Sequence, residues 1–202
     1  MYVKLWMKNK FETLQSTNTV DDAIKKFFEK DDEIVLILRK NGTLFSSIYR
    51  GDMAILQEYN SDDFLIDIFD PIEDFLYEDD LVEDVLLTML ETNYKVLPVV
   101  DYDMKPVGLF GFQELIRAMV NITALDEIGT KVILTLDDKP GELQKIVEVF
   151  SNNNLNILSM TTCKINSQRR MLSIKLSLKD VNTVSTILDK NNIEYDGIYE
   201  ES

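Results

Sequence analysis

Two segments of the chain, residues 19–53 and 80–115, carry the same order of sequence patterns about sixty residues apart. Each opens on a residue suited to a helix N-cap, Thr19 or Asp80, and continues with apolar residues at helical spacing. Two short apolar runs separated by a polar turn follow, and a second helical segment comes last. This repeat predicts two tandem copies of one supersecondary unit.

The first copy carries specific local signals. Four apolar residues mark one face of its first helix: Ala23, Ile24, Phe27 and Phe28. Asn41-Gly42 separates its two apolar runs, which predicts a hairpin with a type I′ turn, because both central residues of that turn need positive φ. Three apolar residues of the lead-in segment are expected to pack against the second copy or a partner chain: Trp6, Met7 and Phe11.

After Met119 the pattern changes to alternating strands and helices beyond a linker closed by Gly129. The predicted order is strand, helix, strand, strand, helix, strand, over residues 131–137, 141–152, 155–165, 171–178, 180–192 and 194–200. The strand MLSIKLSL alternates, so its apolar residues should face a core while Ser173, Lys175 and Ser177 meet water. These patterns predict a βαββαβ ferredoxin-like sandwich and, with the repeat, an α+β / α/β fold class.

The net charge of −15, from 36 acidic and 21 basic residues, repels phosphate backbones and anionic lipids. Neither nucleic acid nor a membrane is therefore an expected partner. The single cysteine, Cys163, excludes an internal disulfide and suits a reducing compartment, and its strand-like surroundings predict a buried, inert thiol. With no signal peptide and no long apolar run, the protein is expected to be cytoplasmic.

The chain contains no histidine, which removes the commonest general base and transition-metal ligand. No other group of residues forms a catalytic constellation, so we expect no catalytic residues and no enzyme. The acidic clusters between residues 62 and 80 lack the spacing and central glycine of a calcium-binding loop. They are interpreted as solvated turns, and no metal site is predicted.

Three motifs carry a resemblance to known families. VLPVVD and PVGLFGFQEL, preceded by FDPIEDFLYEDDLVEDVLLTML, resemble CBS domains, two of which form a Bateman module. LDDKPGELQKIVEVFSNNNLNI resembles an ACT domain. The order CBS, CBS, ACT is similar to the acetoin-utilisation (AcuB) type. The resemblance implies a first CBS domain over residues 1–58, a second over 59–121, a linker over 122–130 and an ACT domain over 131–202.

The resemblance to CBS domains implies adenosine-ligand pockets between the two copies. In that family a Thr or Ser after the last strand, and an Asp three residues on, hold the ribose hydroxyls. The matching pairs here are Tyr49 with Asp52 and Gly111 with Glu114, so the first copy has a bulky ring at the hydroxyl position and the second has no side chain. An alternative role for both acids is to stabilise the first turn of the following helix.

Two residues of the VLPVVD run, Pro98 and Val99, are assigned to the same nucleotide pockets by the resemblance. The implied ligands are ATP, AMP or S-adenosylmethionine, bound as regulatory effectors, and no cofactor is required.

The resemblance to ACT domains implies a small ligand, often an amino acid, near the loop after the first strand of that unit. The matching residues are Asp138, Gly141 and Asn156, whereas Leu136 stands where relatives often carry a polar residue. Pro140-Gly141 is predicted to form the junction between the strand and the next helix. Asn156 has an alternative role in closing the turn before its strand.

These features predict a non-enzymatic cytoplasmic regulatory protein that senses a small ligand: an adenine nucleotide at the CBS pair and an amino acid or other small metabolite at the ACT domain. The resemblance further implies a homodimer, a regulated enzyme or other protein as partner, and a link to acetoin or carbon metabolism. The alternative is a structural protein whose degenerate CBS pockets serve as an oligomerisation platform.

Overall fold

The computed structural model describes residues 1–30 and 32–201. It contains an N-terminal unit, Met1–Ala118, and a C-terminal unit, Met119–Ser202. Both sequence repeats lie in the N-terminal unit, whose two halves can therefore be compared directly.

The two copies have the same order of elements. The first contains β1 (Glu12–Gln15), α1 (Val20–Glu29), β2 (Ile34–Leu38), β3 (Leu44–Tyr49), a 3₁₀ turn (Arg50–Asp52) and α2 (Met53–Leu56), and the short helix α3 (Leu65–Ile68) lies in the connection that follows. The second contains β4 (Leu76–Tyr77), α4 (Val82–Thr92), β5 (Val96–Val100), β6 (Pro106–Gly111) and α5 (Phe112–Ile122). Their sheets, β1-β2-β3 and β4-β5-β6, each pair the first two strands parallel and the last two antiparallel. The predicted repeat is confirmed.

The hairpin predicted at Asn41-Gly42 is confirmed, but its turn is not type I′. Within this turn, Gly42 alone has positive φ (84°). Its amide donates to the Arg39 carbonyl at 2.8 Å, so the hairpin has a three-residue loop with a β-bulge at Gly42. The Asn41 side chain stabilises this turn, because its Oδ1 accepts a hydrogen bond from the Thr43 amide at 3.1 Å. The second hairpin repeats the turn with Met104 at φ 61°, in the place of Gly42.

The predicted N-cap residue is correct in the first copy and wrong in the second. Thr19 is confirmed as the N-cap of α1, in a capping box with Asp22. Asp80 is not the N-cap of α4, which is Leu81. The Asp80 carboxylate instead accepts from the Tyr77 amide at 2.8 Å, so it stabilises the turn that precedes the helix.

The first helix buries a narrower stripe than predicted. Val20, Ala23 and Phe27 are buried, whereas Phe28 is 82% exposed. The reason is geometric, because Phe28 is turned about 100° from Phe27 around the helix axis and lies at the rim of the stripe.

The two copies share an apolar cluster. It is formed by three residues of the first copy and two of the second: Ile34, Leu36, Leu44, Val100 and Leu109. The Leu44 amide donates to the Met104 carbonyl at 2.7 Å, which joins the two hairpins directly.

The lead-in segment packs on the second copy, as one of the two sequence interpretations has it. Lys8 and Leu109 exchange two backbone hydrogen bonds of 2.8 and 2.9 Å, and a Cβ on Gly108 would lie only 2.8 Å from the Met7 sulfur. Phe11 packs on the shared cluster. The lead-in is thereby held along β6.

The C-terminal unit is the predicted ferredoxin-like sandwich. Its elements are β7 (Gly129–Asp137), α6 (Glu142–Asn152), β8 (Ile157–Lys164), β9 (Arg169–Leu176), α7 (Val181–Lys190) and β10 (Gly197–Glu201). The four strands form an antiparallel sheet in the order β10-β7-β9-β8. Apolar residues of both helices, including Phe150 and Leu188, pack on Leu172, Ile174 and Leu176 of β9. The predicted core face of β9 is confirmed over these positions.

Two residues on the opposite face of this sheet differ from expectation. Lys175 does not meet water: its side chain is 2% exposed and forms an ion pair with Glu201, which also accepts from Lys131 at 3.2 Å. Gly129 is constrained by the neighbouring strand, since a Cβ there would collide with the Leu176 carbonyl oxygen. Cys163 is exposed rather than buried, because the alternation of β8 turns it away from the core face.

We expect Glu201→Gln to destabilise the C-terminal unit by about 2 kcal/mol, because it leaves the buried Lys175 ammonium without a charged partner. Urea unfolding of the full chain measures the change. The matched control is the double variant Lys175→Met/Glu201→Gln, which should recover most of the loss. A double variant as unstable as the single one would contradict the role given to the ion pair.

Stability should also fall in acid. The hydrogen bond from Lys175 lowers the pKa of Glu201 in the folded state. Its stabilising contribution is therefore complete above the ordinary glutamate pKa of about 4.3, and it is lost as pH falls through the folded value. In Glu201→Gln the decrease of unfolding free energy between pH 5 and pH 3 should be smaller than in the wild type. An identical pH dependence in Glu201→Gln and the wild type would contradict the role given to Glu201.

Candidate functional site

Two clefts lie between the copies of the N-terminal unit. Cleft A, about 410 Å³, is lined by the end of β3, by Asp52, by residues 69–74 before the second copy, and by Tyr94. Cleft B, about 330 Å³, is lined by the end of β6, by Glu114, by Lys8 of the lead-in, by residues 32–34 and by Lys95. Each cleft thus takes its walls from both copies.

The two pairs assigned from sequence occupy equivalent places. Tyr49 and Asp52 lie in cleft A, and Gly111 and Glu114 lie in cleft B, each 62 residues later in the chain. The structure therefore brings four of the six assigned nucleotide residues to the clefts. Pro98 and Val99 are instead buried within β5, and neither lines cleft A or cleft B.

Both acids hold the backbone at the end of a strand. Asp52 accepts from the Tyr49 amide at 2.8 Å, and Glu114 accepts from the Gly111 amide at 3.1 Å. This is the helix-start role that the sequence left open for them. It does not exhaust a carboxylate, which has about four acceptor positions on its two oxygens.

Tyr49 connects the copies across cleft A. Its ring stacks on Tyr94 with a centroid distance of 5.3 Å, and its hydroxyl donates to the Val96 carbonyl at 3.2 Å. Burial raises the pKa of Tyr49, and the nearby Asp52 and Asp74 charges act in the same direction. The phenol is therefore a neutral donor at physiological pH. Tyr94 and Val96 were not anticipated from sequence, because their contact with Tyr49 exists only once the copies pack.

Gly111 has a steric reason to be glycine. A Cβ at this position would lie 3.0 Å from the Lys95 carbonyl and 3.3 Å from a Glu114 carboxylate oxygen. The missing side chain keeps cleft B open at the position where Tyr49 crosses cleft A.

Comparison with known proteins agrees with this arrangement. Residues 66–121 match the family model of the CBS domain. A CBS domain pair/ACT domain protein of Thermotoga maritima is 22% identical, with a TM-score of 0.52 over 59% of this chain and 97% of that chain. The N-terminal unit has the fold of a CBS domain pair.

Two other solved CBS proteins carry ligands in their crystals. CBSX2 in complex with AMP is 24% identical, with a TM-score of 0.52 over 60% of this chain and 97% of that chain. A CBS domain pair in complex with 5′-methylthioadenosine and S-adenosyl-L-methionine is 23% identical, with a TM-score of 0.51 over 59% of this chain and 95% of that chain. At these identities the likeness concerns the fold.

The C-terminal unit assembles only part of its predicted site. Asp138 lines a cavity of about 270 Å³ and pairs with Arg170 at 3.1 Å, while Arg170 also donates to Thr162 at 3.2 Å. Gly141 is the N-cap of α6, with φ 93°. Asn156 is exposed just before β8 and does not line this cavity. Its backbone carbonyl accepts from the Ser177 amide, a bond open to any residue type, and the positive φ of the preceding turn belongs to Asn154 (57°).

Arg170 also lines this cavity and was not among the predicted ligand residues. It lies opposite Leu136 in the β7–β9 ladder, which brings it beside Asp138 just past the end of β7. The register of this pairing follows from the fold and not from the local sequence pattern.

Across residues 1–30 and 32–201, no three or more acidic, cysteine or histidine side chains are grouped so as to hold a metal ion. Within the same residues, no helix has both the length and the apolar character needed to traverse a bilayer.

Removing the Tyr49 hydroxyl should weaken the contact between the CBS copies. We expect Tyr49→Phe to lower the unfolding free energy by about 1 kcal/mol, because the Val96 carbonyl loses its donor while the ring stack remains. Tyr59→Phe, at an exposed tyrosine outside the clefts, is the matched control and should change little. Equal stability of both variants and the wild type in denaturant titrations would contradict the contact.

Gly141 should be required by the backbone. We expect Gly141→Ala to cost about 1 kcal/mol, because φ 93° places a side chain in the strained left-handed region, although the surrounding space is open. Gly51→Ala, where the space is equally open and φ is not positive, serves as control. Thermal unfolding compares the two, and an unaltered melting temperature in Gly141→Ala would refute the junction as described.

Proposed function

We propose that this chain is a non-enzymatic, cytoplasmic regulatory protein whose CBS pair binds an adenosine-type ligand between its two copies. The observation that carries the proposal is cleft B, where an open cavity meets a helix start, three carboxylates and two lysines. Glu114 keeps acceptor capacity for ribose hydroxyls beyond its bond to the Gly111 amide. The adenosine ligands of CBS proteins with the same fold support this choice.

Binding would act by shifting a population. Cleft B is walled by residues 32–34 of the first copy and by β6 of the second, so a ligand there contacts both. It favours one arrangement of the copies only to the extent that it binds that arrangement more tightly. The regulated enzyme or other protein would then recognise the favoured arrangement.

The proposal extends to the rest of the chain. We take residues 1–58 and 59–121 as the CBS domains, 122–130 as a linker and 131–202 as the ACT domain, with a homodimer as the assembly. An amino acid or other small metabolite would bind beside Asp138, where it must compete with Arg170 for the carboxylate. The link to acetoin or carbon metabolism rests on the order of the modules.

A second function is favoured by cleft A. There the Tyr49 ring and hydroxyl already connect the two copies, as a fixed interaction platform would require. In this alternative the CBS pair binds no nucleotide and serves to assemble copies or partners.

Calorimetry and thermal unfolding with AMP, ATP and S-adenosylmethionine separate the two functions. We expect at least one ligand to release or absorb heat and to raise the melting temperature, because a ligand that binds only the folded state stabilises it. Glu114→Gln should weaken that binding, and Glu58→Gln, an exposed acid outside the clefts, should not. No heat and no shift with all three ligands would leave only the platform function.

Light scattering tests the assembly independently. A homodimer should have about twice the chain mass of 23.4 kDa. A mass equal to that of one chain at micromolar concentration would exclude the dimer without affecting the ligand experiment.

A further inference from the structure

The two clefts occupy equivalent positions in the repeat, but cleft A is the more negative of the two. Cleft A contains four carboxylates, those of Asp52, Asp70, Glu73 and Asp74. The described residues that line it include no lysine or arginine. Cleft B contains the two lysines Lys8 and Lys95 among its three acids, Asp32, Glu33 and Glu114.

Cleft A is unsuited to a phosphate. A phosphate placed among its carboxylates meets repulsion from all of them at short range, where salt screens little. The wall that would face a ribose is also occupied, because Tyr49 stacks on Tyr94 and donates to the Val96 carbonyl. The following helix, α2, has only four residues, so it contributes little dipole.

Cleft B has the features that cleft A lacks. Lys8 is fixed at its backbone by two hydrogen bonds to Leu109, and its Nζ forms a long ion pair of 4.0 Å with Asp32 Oδ1. Lys95 is exposed at the cleft. The 11-residue helix α5 begins at Phe112 on the cleft wall, and a helix start favours an anion. Lysine binds phosphate as a point charge.

We propose that the two clefts sort adenosine ligands by charge: cleft B binds the phosphate-bearing ligand, one per chain, and cleft A excludes it. The inference rests on the proposed function, since it names the class of ligand and the cleft that takes it. The selection comes from differences at equivalent positions of the repeat, with Gly111 keeping open in cleft B the place that Tyr49 fills in cleft A.

The test compares AMP with adenosine, which differ only by the phosphate. Calorimetry on the full chain should give one AMP per chain and weaker binding of adenosine. Lys95→Met keeps the apolar stem but removes the charge, and it should weaken AMP about three- to tenfold while changing adenosine less than twofold. Lys105→Met, an exposed lysine on the β5–β6 turn outside both clefts, should change neither. Unchanged melting curves confirm that the variants fold.

Salt gives a second readout on the wild type. Raising sodium chloride from about 50 to about 500 mM should weaken AMP severalfold and leave adenosine nearly unchanged, because screening acts on the phosphate contact.

The outcomes separate this inference from the proposed function. Two AMP per chain, equal losses of AMP and adenosine in Lys95→Met, or an unchanged AMP affinity in that variant would overturn the sorting and leave the sensor function in place. Binding of adenosine or S-adenosylmethionine without AMP would do the same. If none of the three binds, the sensor function and the sorting both fail.

Discussion

The apolar cluster shared by the two copies is the contact on which the N-terminal unit depends. Leu36 and Leu44 from one copy meet Val100 and Leu109 from the other, and the hairpins are tied by the bond from the Leu44 amide to the Met104 carbonyl. The first sheet packs one face on its own helices, and this cluster covers its other face. The clefts lie where the two copies meet, so the packing of this cluster determines their shape.

A repeat that folds symmetrically need not function symmetrically. The core positions of the two copies are interchangeable in kind, and both hairpins carry a register shift at the same place, Ile37/Leu38 and Val99/Val100. The cleft positions differ instead: Tyr49 of the first copy corresponds to Gly111 of the second, and the four-residue helix α2 corresponds to the 11-residue helix α5.

Sequence patterns predicted what depends on local periodicity. The strand and helix order of both units, the core face of β9 and the cap at Thr19 followed from the spacing of residue types. What failed depends on atoms brought together from afar. The alternation of β9 correctly placed Lys175 on the face away from the core, and it was therefore predicted to be exposed. Only the pairing of β7 with β10 shows that Glu201 lies on the same face and forms an ion pair with it.

The same distinction applies to the candidate site, where some residues were predicted and others were not. The resemblance to CBS domains, applied to each copy of the repeat, pointed to Tyr49, Asp52, Gly111 and Glu114. The tyrosine stack, the lysines of cleft B and the Arg170 partner of Asp138 could not be predicted, because each joins segments far apart in the sequence.

The stack of Tyr49 on Tyr94 also gives the protein an optical readout of its own shape. One ring belongs to the first copy and the other to the second, and their planes are 25° apart at a centroid distance of 5.3 Å. Rings held this closely couple their electronic transitions, and the coupling falls steeply with separation and angle. Any rotation of one copy against the other therefore changes near-ultraviolet circular dichroism, so the unlabelled chain reports its own domain motion.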